Sequence, residues 1–258
     1  MVCIKSKREQ EIMRRCGKIV GKILKQVSDS AKEGSTLIEL DEMAESLCHE
    51  NGVKPAFKGY MGFKHTLCTS VNEQIVHGIP SKRVLKSGDI VGFDFGVILE
   101  GFYGDSAVTV PVGEVSESAM KLMRTTRSSL YAGIDACRAG NSLKDIARAI
   151  ESTVKPHHYG VVKEFVGHGI GQRLHEDPQI PNYEAGASNL KLKPGMTVCL
   201  EPMISEGKPG VRILDDKWTA VTEDGKLSAH YEHTVLITEG DPEILSDWEG
   251  SAYGWRID

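Results

Sequence analysis

The chain has 258 residues, 40% of them hydrophobic and 26% charged, an ordinary mix for a globular protein. Thirty-six acidic against 31 basic side chains give a net charge of −5, which argues against a nucleic-acid binder, since that would carry a basic excess. No apolar run of about 20 residues spans a bilayer, and Met1 to Arg8 lacks the apolar stretch of a secretory leader.

Ile12, Cys16, Ile19, Val20, Ile23, Leu24 and Val27 recur at helical spacing and predict a helix from about Lys7 to Asp29. A second amphipathic stretch, about Leu37 to Glu50, stops at Asn51-Gly52. Ile90 to Ile98 has the composition of a strand, Leu99-Glu100-Gly101 marks a turn, and Phe102 to Val110 returns as a second strand. Helical patterns resume over about Ser116–Ala139 and Ser142–Thr153. Val198–Met203 and His230–Ile237 read as later strands. Cys3, Cys16, Cys48, Cys68, Cys137 and Cys199 are scattered without a C-x-x-C pair, so reduced thiols in the cytoplasm are expected, not a disulfide frame or a zinc finger.

The chain also repeats itself. Leu85-Lys86-Ser87-Gly88-Asp89-Ile90-Val91 is followed three residues later by Asp94, and Leu192-Lys193-Pro194-Gly195-Met196-Thr197-Val198 three residues later by Glu201. Upstream, Gly34-Ser35-Thr36-Leu37 resembles Gly140-Asn141-Ser142-Leu143. Each copy reads helix, helix, then strands. The expectation is a single α+β domain over 1–258, built of two pseudo-symmetric halves of about 1–115 and 116–258. Asp94 and Glu201 would then meet at a shared centre. Chance similarity of a common Lys-x-Gly turn is the plainer account, but it leaves the carboxylates' matching register unexplained.

Carboxylates interrupt strands that should be apolar. The expected turn centres between Leu99 and Glu100, which would set Asp94 directly opposite Asp105 on one face. Two opposed carboxylates repel, and burial raises the cost, unless a cation sits between them. A single Asp pointing to water is common; two in register amid apolar neighbours are less so. Glu201 and Glu232 also sit in apolar strands, and parity puts Glu232, Thr234 and Leu236 on one face. Four carboxylates with a histidine suit Mn, Fe(II), Co or Zn, and the surplus fits two ions sharing bridging carboxylates. Gly167-His168-Gly169-Ile170-Gly171 places a histidine in a run of small residues, and it lacks the spacing of a dinucleotide fingerprint. Any one histidine taken alone is more often structural than a ligand.

Taken together, Asp94, Asp105, His168, Glu201 and Glu232 resemble, in this order, the metal set of the methionine aminopeptidases, dinuclear metallopeptidases of the pita-bread fold. The resemblance covers nearly the whole chain. It is specific in Ser70 to Glu73, His77 to Pro80, Gly101 to Asp105, Gly167 to Gly171, His175 to Pro178, Glu201 to Met203 and Glu232 to Thr234. The pattern is that of the bacterial-like first type. By resemblance, Asp94 binds one ion, His168 and Glu201 the other, and Asp105 and Glu232 bridge them. His77 matches the residue that contacts the scissile amide nitrogen, and His175 the one that hydrogen-bonds the scissile carbonyl. Glu201 would also move the proton. The methionine pocket maps to Phe57, Tyr60, Phe63, Cys68 and Trp218. Phe57, Phe63, Leu174 and His230 depart from residues found in some bacterial members.

The implied function is removal of N-terminal methionine from nascent chains with a small second residue, by attack of metal-activated water on the first peptide bond. The implied cofactors are two divalent ions, Co, Mn, Fe(II) or Zn. The implied setting is a cytoplasmic monomer that needs no membrane or specific nucleic acid, with transient ribosome association among its partners. Rival readings are a prolidase or proline-specific aminopeptidase with much the same ligands, a non-catalytic pita-bread binding module, and a mononuclear oxygenase, which would leave three buried carboxylates unexplained.

Overall fold

Each long helix begins where a short polar side chain caps it. In the computed structural model, which describes residues 2–247, α1 (Lys7–Ser30) starts at Ser6 and α2 (Leu37–Glu50) at Thr36, both closed by a capping box with Glu9 or Glu39. Ser116 caps α3 (Glu117–Asp135), and Ser142 with Asp145 opens α4 (Leu143–Val154). Positions 248–258 of the expected second half, and Met1, lie outside the described residues. The third helix ends at Asp135, short of the expected Ala139: Cys137 N–H turns back to Ile134 O in a tighter bond, and beyond it Arg138 Nε donates to Asp135 O and Asn141 Nδ2 to Ala136 O.

Seven strands carry the site. They are β1 (Leu67–Val71), β2 (Ile90–Leu99), β3 (Phe102–Pro111), β4 (Gly167–Gly169), β5 (Glu176–Ile180), β6 (Thr197–Leu200) and β7 (Glu232–Leu236). They lie antiparallel in one sheet in the order β1-β2-β3-β7-β6-β4-β5, with Lys54–Pro55 and Glu243–Ile244 added at β2 and β7. The seam between the first and second parts of the chain is the β3–β7 pairing. The helices cover one face of this sheet. Gly104 lets Cys16 and Val20 of α1 approach β3, and Gly133 of α3 lies against Leu200 of β6. Both contacts fall on the face opposite Asp105 and Glu201, so the apolar core lies behind the sheet and the other face is left for chemistry.

The hairpin differs from its expected register. Leu99 pairs with Phe102, and Glu100 and Gly101 form a two-residue turn with positive φ of 51° and 82°. The centre thus falls one residue later than expected. Asp94 stands opposite Ala107 and Asp105 opposite Gly96, so the two carboxylates share a face but lie diagonally, not directly opposed.

Several backbone hydrogen bonds recur along the chain at an offset of 106 or 107 residues. Gly34 N–H to Leu85 O matches Gly140 N–H to Leu192 O, and Leu85 N–H to Ser35 O matches Leu192 N–H to Asn141 O. The donors Gly88 and Gly195, directly before β2 and β6 respectively, keep the same offset, although their acceptors, Val112 O and Ile237 O, do not.

Candidate metal centre

Strand register alone brings the candidate ligands together. Asp94 on β2 and Asp105 on β3 share a face; Glu232 on β7 pairs with Ala107, two residues from Asp105 on that same face. Thr234 pairs with Cys199 on β6, and Cys199 with His168 on β4, which keeps the face continuous across five adjacent strands. Glu201 follows the end of β6 with the parity of Cys199. Thr234 pins the central pair, its hydroxyl donating to Asp105 O at 2.7 Å and accepting from Asp105 N–H at 3.2 Å.

His168 can occupy its place only between glycines. A Cβ at Gly167 would strike the Cys199 carbonyl oxygen, and one at Gly169 would strike that of Asp177. The His168 Nδ1 lies 2.9 Å from Gly169 O, so Nδ1–H donates to that carbonyl and Nε2 carries the free lone pair. That Nε2 is 3.5 Å from Glu201 Oε1. A lone pair facing a carboxylate oxygen requires a proton or a cation between them.

The electrostatics make the same demand. Burial, then the charges of its neighbours, holds each of Asp94, Glu201 and Glu232 well above the ordinary carboxylate range, and burial pushes Asp105 up to about 7. Asp94 Oδ1, Asp105 Oδ1 and Glu232 Oε1 are buried without a hydrogen-bond partner. Burial lowers the His168 pKa to about 3, with His175 adding to the effect, so its imidazole is neutral. Neutral imidazole and orphaned hard oxygens fit divalent first-row ions.

Above this floor lies a cavity of about 140 Å³. Its lining includes the five candidate ligands and every residue expected in the methionine pocket: Phe57, Tyr60, Phe63, Cys68 and Trp218. Cys68 pairs with Asp94 across β1 and β2, so the slot adjoins the carboxylates by one strand step. Phe63 and Trp218 meet edge to face with centroids 5.0 Å apart. Leu174, one of the departures, also lines the cavity, as do Met61 and Val76, which sequence reasoning did not place there. His230 does not line it; it is buried, its Nε2 has no hydrogen-bond partner, and burial, then His77, lowers its pKa to about 3.

Both candidate catalytic histidines are in the cavity. His77 has a positive φ of 59° and packs edge to face against Phe165 and Trp218, and burial lowers its pKa to about 4, followed by His175. Tyr60 Oη lies 2.8 Å from His175 Nδ1. We assign the phenol as donor to Nδ1, which leaves the His175 proton on Nε2. The loop before His175 is tied down by Glu176, which accepts from Arg173 N–H at 3.2 Å and from buried Lys5 Nζ at 2.8 Å.

Cys199 is the residue at the centre that sequence reasoning missed. It is fully buried, with its Sγ near Asp105, His168 and Glu232. A cysteine in an apolar strand reads as a small hydrophobe, and only parity with Glu201 signals its side.

A model of metallopeptidase family M24 matches residues 11–239. The chain is 47% identical over 247 residues to a methionine aminopeptidase of Clostridium acetobutylicum, covering 95% of this chain and 99% of that one. It is equally identical over 246 residues to methionine aminopeptidase 1 of Bacillus subtilis, with the same coverage. Among solved structures, methionine aminopeptidase from Thermotoga maritima superposes with a TM-score of 0.93 at 45% identity, covering 96% of this chain and 100% of that chain. A prolidase from Pyrococcus furiosus superposes with a TM-score of 0.77 at 24% identity, covering 95% of this chain but 65% of the prolidase, a likeness of fold alone.

Proposed function

The chain belongs to metallopeptidase family M24, and from that premise we propose that it removes the N-terminal methionine from peptides and nascent proteins. One observation carries the reading: a face of five candidate ligands with orphaned buried oxygens opens into an aromatic slot with a soft sulfur at its edge. The identities of 45–47% to methionine aminopeptidases, against 24% to the prolidase, favour methionine over a proline-directed substrate.

Asp94, Asp105, His168, Glu201 and Glu232 would hold two divalent ions, with Asp105 and Glu232 shared. When bound, such a pair supplies Lewis acidity and makes water a nucleophile near neutral pH. The remaining chemistry belongs to the chain's own groups. The carboxylate cluster attracts the substrate's free α-amine, which selects the chain end over internal bonds. Phe57, Phe63, Trp218 and Cys68 receive the methionine side chain. Glu201 takes a proton from the attacking water and passes it to the leaving amine. His175, protonated on Nε2 because Tyr60 occupies Nδ1, donates to the carbonyl oxygen as charge develops there. His77, neutral and held by Trp218 and Phe165, positions the amide nitrogen. A small second residue is the expected preference.

The same reading places the protein as a single domain of two similar halves, supported by the hydrogen bonds that recur at 106 or 107 residues. It also places it in a reducing cytoplasm as a monomer with transient ribosome contact, in keeping with its six unpaired cysteines. No helix among the described residues is long and apolar enough to cross a membrane.

The test is release of methionine from Met-Ala-Ser, with Gly-Pro as the rival substrate, after chelation and add-back of Mn, Fe(II), Co and Zn. Cleavage of Met-Ala-Ser alone, lost with chelator and restored by metal, is expected. Cleavage of Gly-Pro alone, or activity indifferent to chelation, overturns the reading.

A further inference from the structure

Cys199 has no task in the mechanism above, yet it sits among the groups that do. It is completely buried, opposite His168 on one side and Thr234 on the other. Its Sγ and one ligand atom each from Asp105, His168 and Glu232 all lie within 4.8 Å of one another. Asp105 Oδ1 and Glu232 Oε1 are buried and unpartnered, so two of its three neighbours await a cation.

The geometry points to Cys199 as a further ligand of the centre, a soft sulfur donor on the His168 side that favours Zn(II), Co(II) or Fe(II) over Mn(II). This rests on the metal-centre reading of the preceding subsection. Binding exchanges the S–H bond for a sulfur–metal bond, and the proton leaves to solvent. The competing role keeps the thiol protonated, held by its 3.5 Å contact with Thr234 Oγ1 and beside Glu232, with no bond to the ion.

X-ray absorption at the zinc edge separates the two on the wild-type protein loaded with Zn(II). One sulfur scatterer at about 2.3 Å per two zinc ions, beside nitrogen and oxygen at about 2.0–2.1 Å, is expected. It should persist in Cys68→Ser, the other thiol near the carboxylates, and vanish in Cys199→Ser. The Cys199→Ser protein should bind Zn(II) about tenfold more weakly or worse, with a smaller change for Mn(II). Stoichiometric zinc with only nitrogen and oxygen neighbours overturns the sulfur ligand and leaves the metal centre standing. A sulfur signal lost in Cys68→Ser instead also overturns it. Failure of the wild type to bind zinc at all overturns both.

Discussion

Replacing Asp105 by Asn should make the metal-free protein more stable while destroying its metal site. Asp105 is 4% exposed, and its pKa is raised from 3.8 to about 7, burial being the cause. A raised carboxylate pKa means that the folded state binds more protons than the unfolded chain between those values. The ionised group therefore destabilises the fold as pH rises from about 4 to 7, and fully above that. At about 1.4 kcal/mol per unit, the penalty is about 4 kcal/mol near pH 8, about 2 near pH 5.5, and nothing below the unfolded value. Asn keeps the shape and cannot ionise. In chelator near pH 8, thermal unfolding should show the Asp105→Asn protein melting higher by about 10 °C. The gap should narrow towards pH 5.5. The buried histidines, whose lowered pKa values cost stability as pH falls, are common to both proteins and cancel in the comparison. Saturating Co(II) or Mn(II) should close most of that gap: at 100 times its Kd, an ion stabilises the wild type by about 3 kcal/mol and the variant hardly at all. A variant that melts at or below the wild type in chelator near pH 8 refutes the reasoning.

Three further outcomes are expected. His175→Ala should lower turnover by about 10²–10³ with metal content, read by elemental analysis, unchanged. Tyr60→Phe should lower kcat by about tenfold through loss of the bond that fixes the His175 tautomer, and a kcat equal to wild type in steady-state assays would remove that role. Lys5→Met should cost about 3 kcal/mol in urea unfolding because it leaves Glu176 charged and unpaired with its side chain only 7% exposed; pairing it with Glu176→Gln should recover most of the loss.

How much of this was legible in the residues depends on how far apart in sequence the cause lies. Asp94, Asp105, Glu201 and Glu232 stand out because each breaks an apolar strand, a local signal. That Asp94 and Asp105 share a face followed from hairpin parity, but their diagonal offset did not. It depends on Glu100 accepting a left-handed backbone beside Gly101, which composition does not favour. The glycines around His168 were visible, whereas the reason for them was not: they make room for backbone oxygens of β5 and β6, which reach β4 only in the folded sheet. Tyr60 was placed in the slot, but its bond to His175 spans 115 residues and has no sequence signature. Cys199 stayed hidden because burial and ligation call for the same residue.

The five strands of the floor have one more consequence. Neighbouring residues on a strand point to opposite faces, so a slip of one position in β2, β3, β4 or β7, or in the end of β6 that leads to Glu201, turns a ligand into the helices and leaves the ion short of a partner. Cation capture is thus a parity check on the whole sheet. Chains that close with a wrong strand count hold no ion, and an ion present during folding selects for those that count correctly.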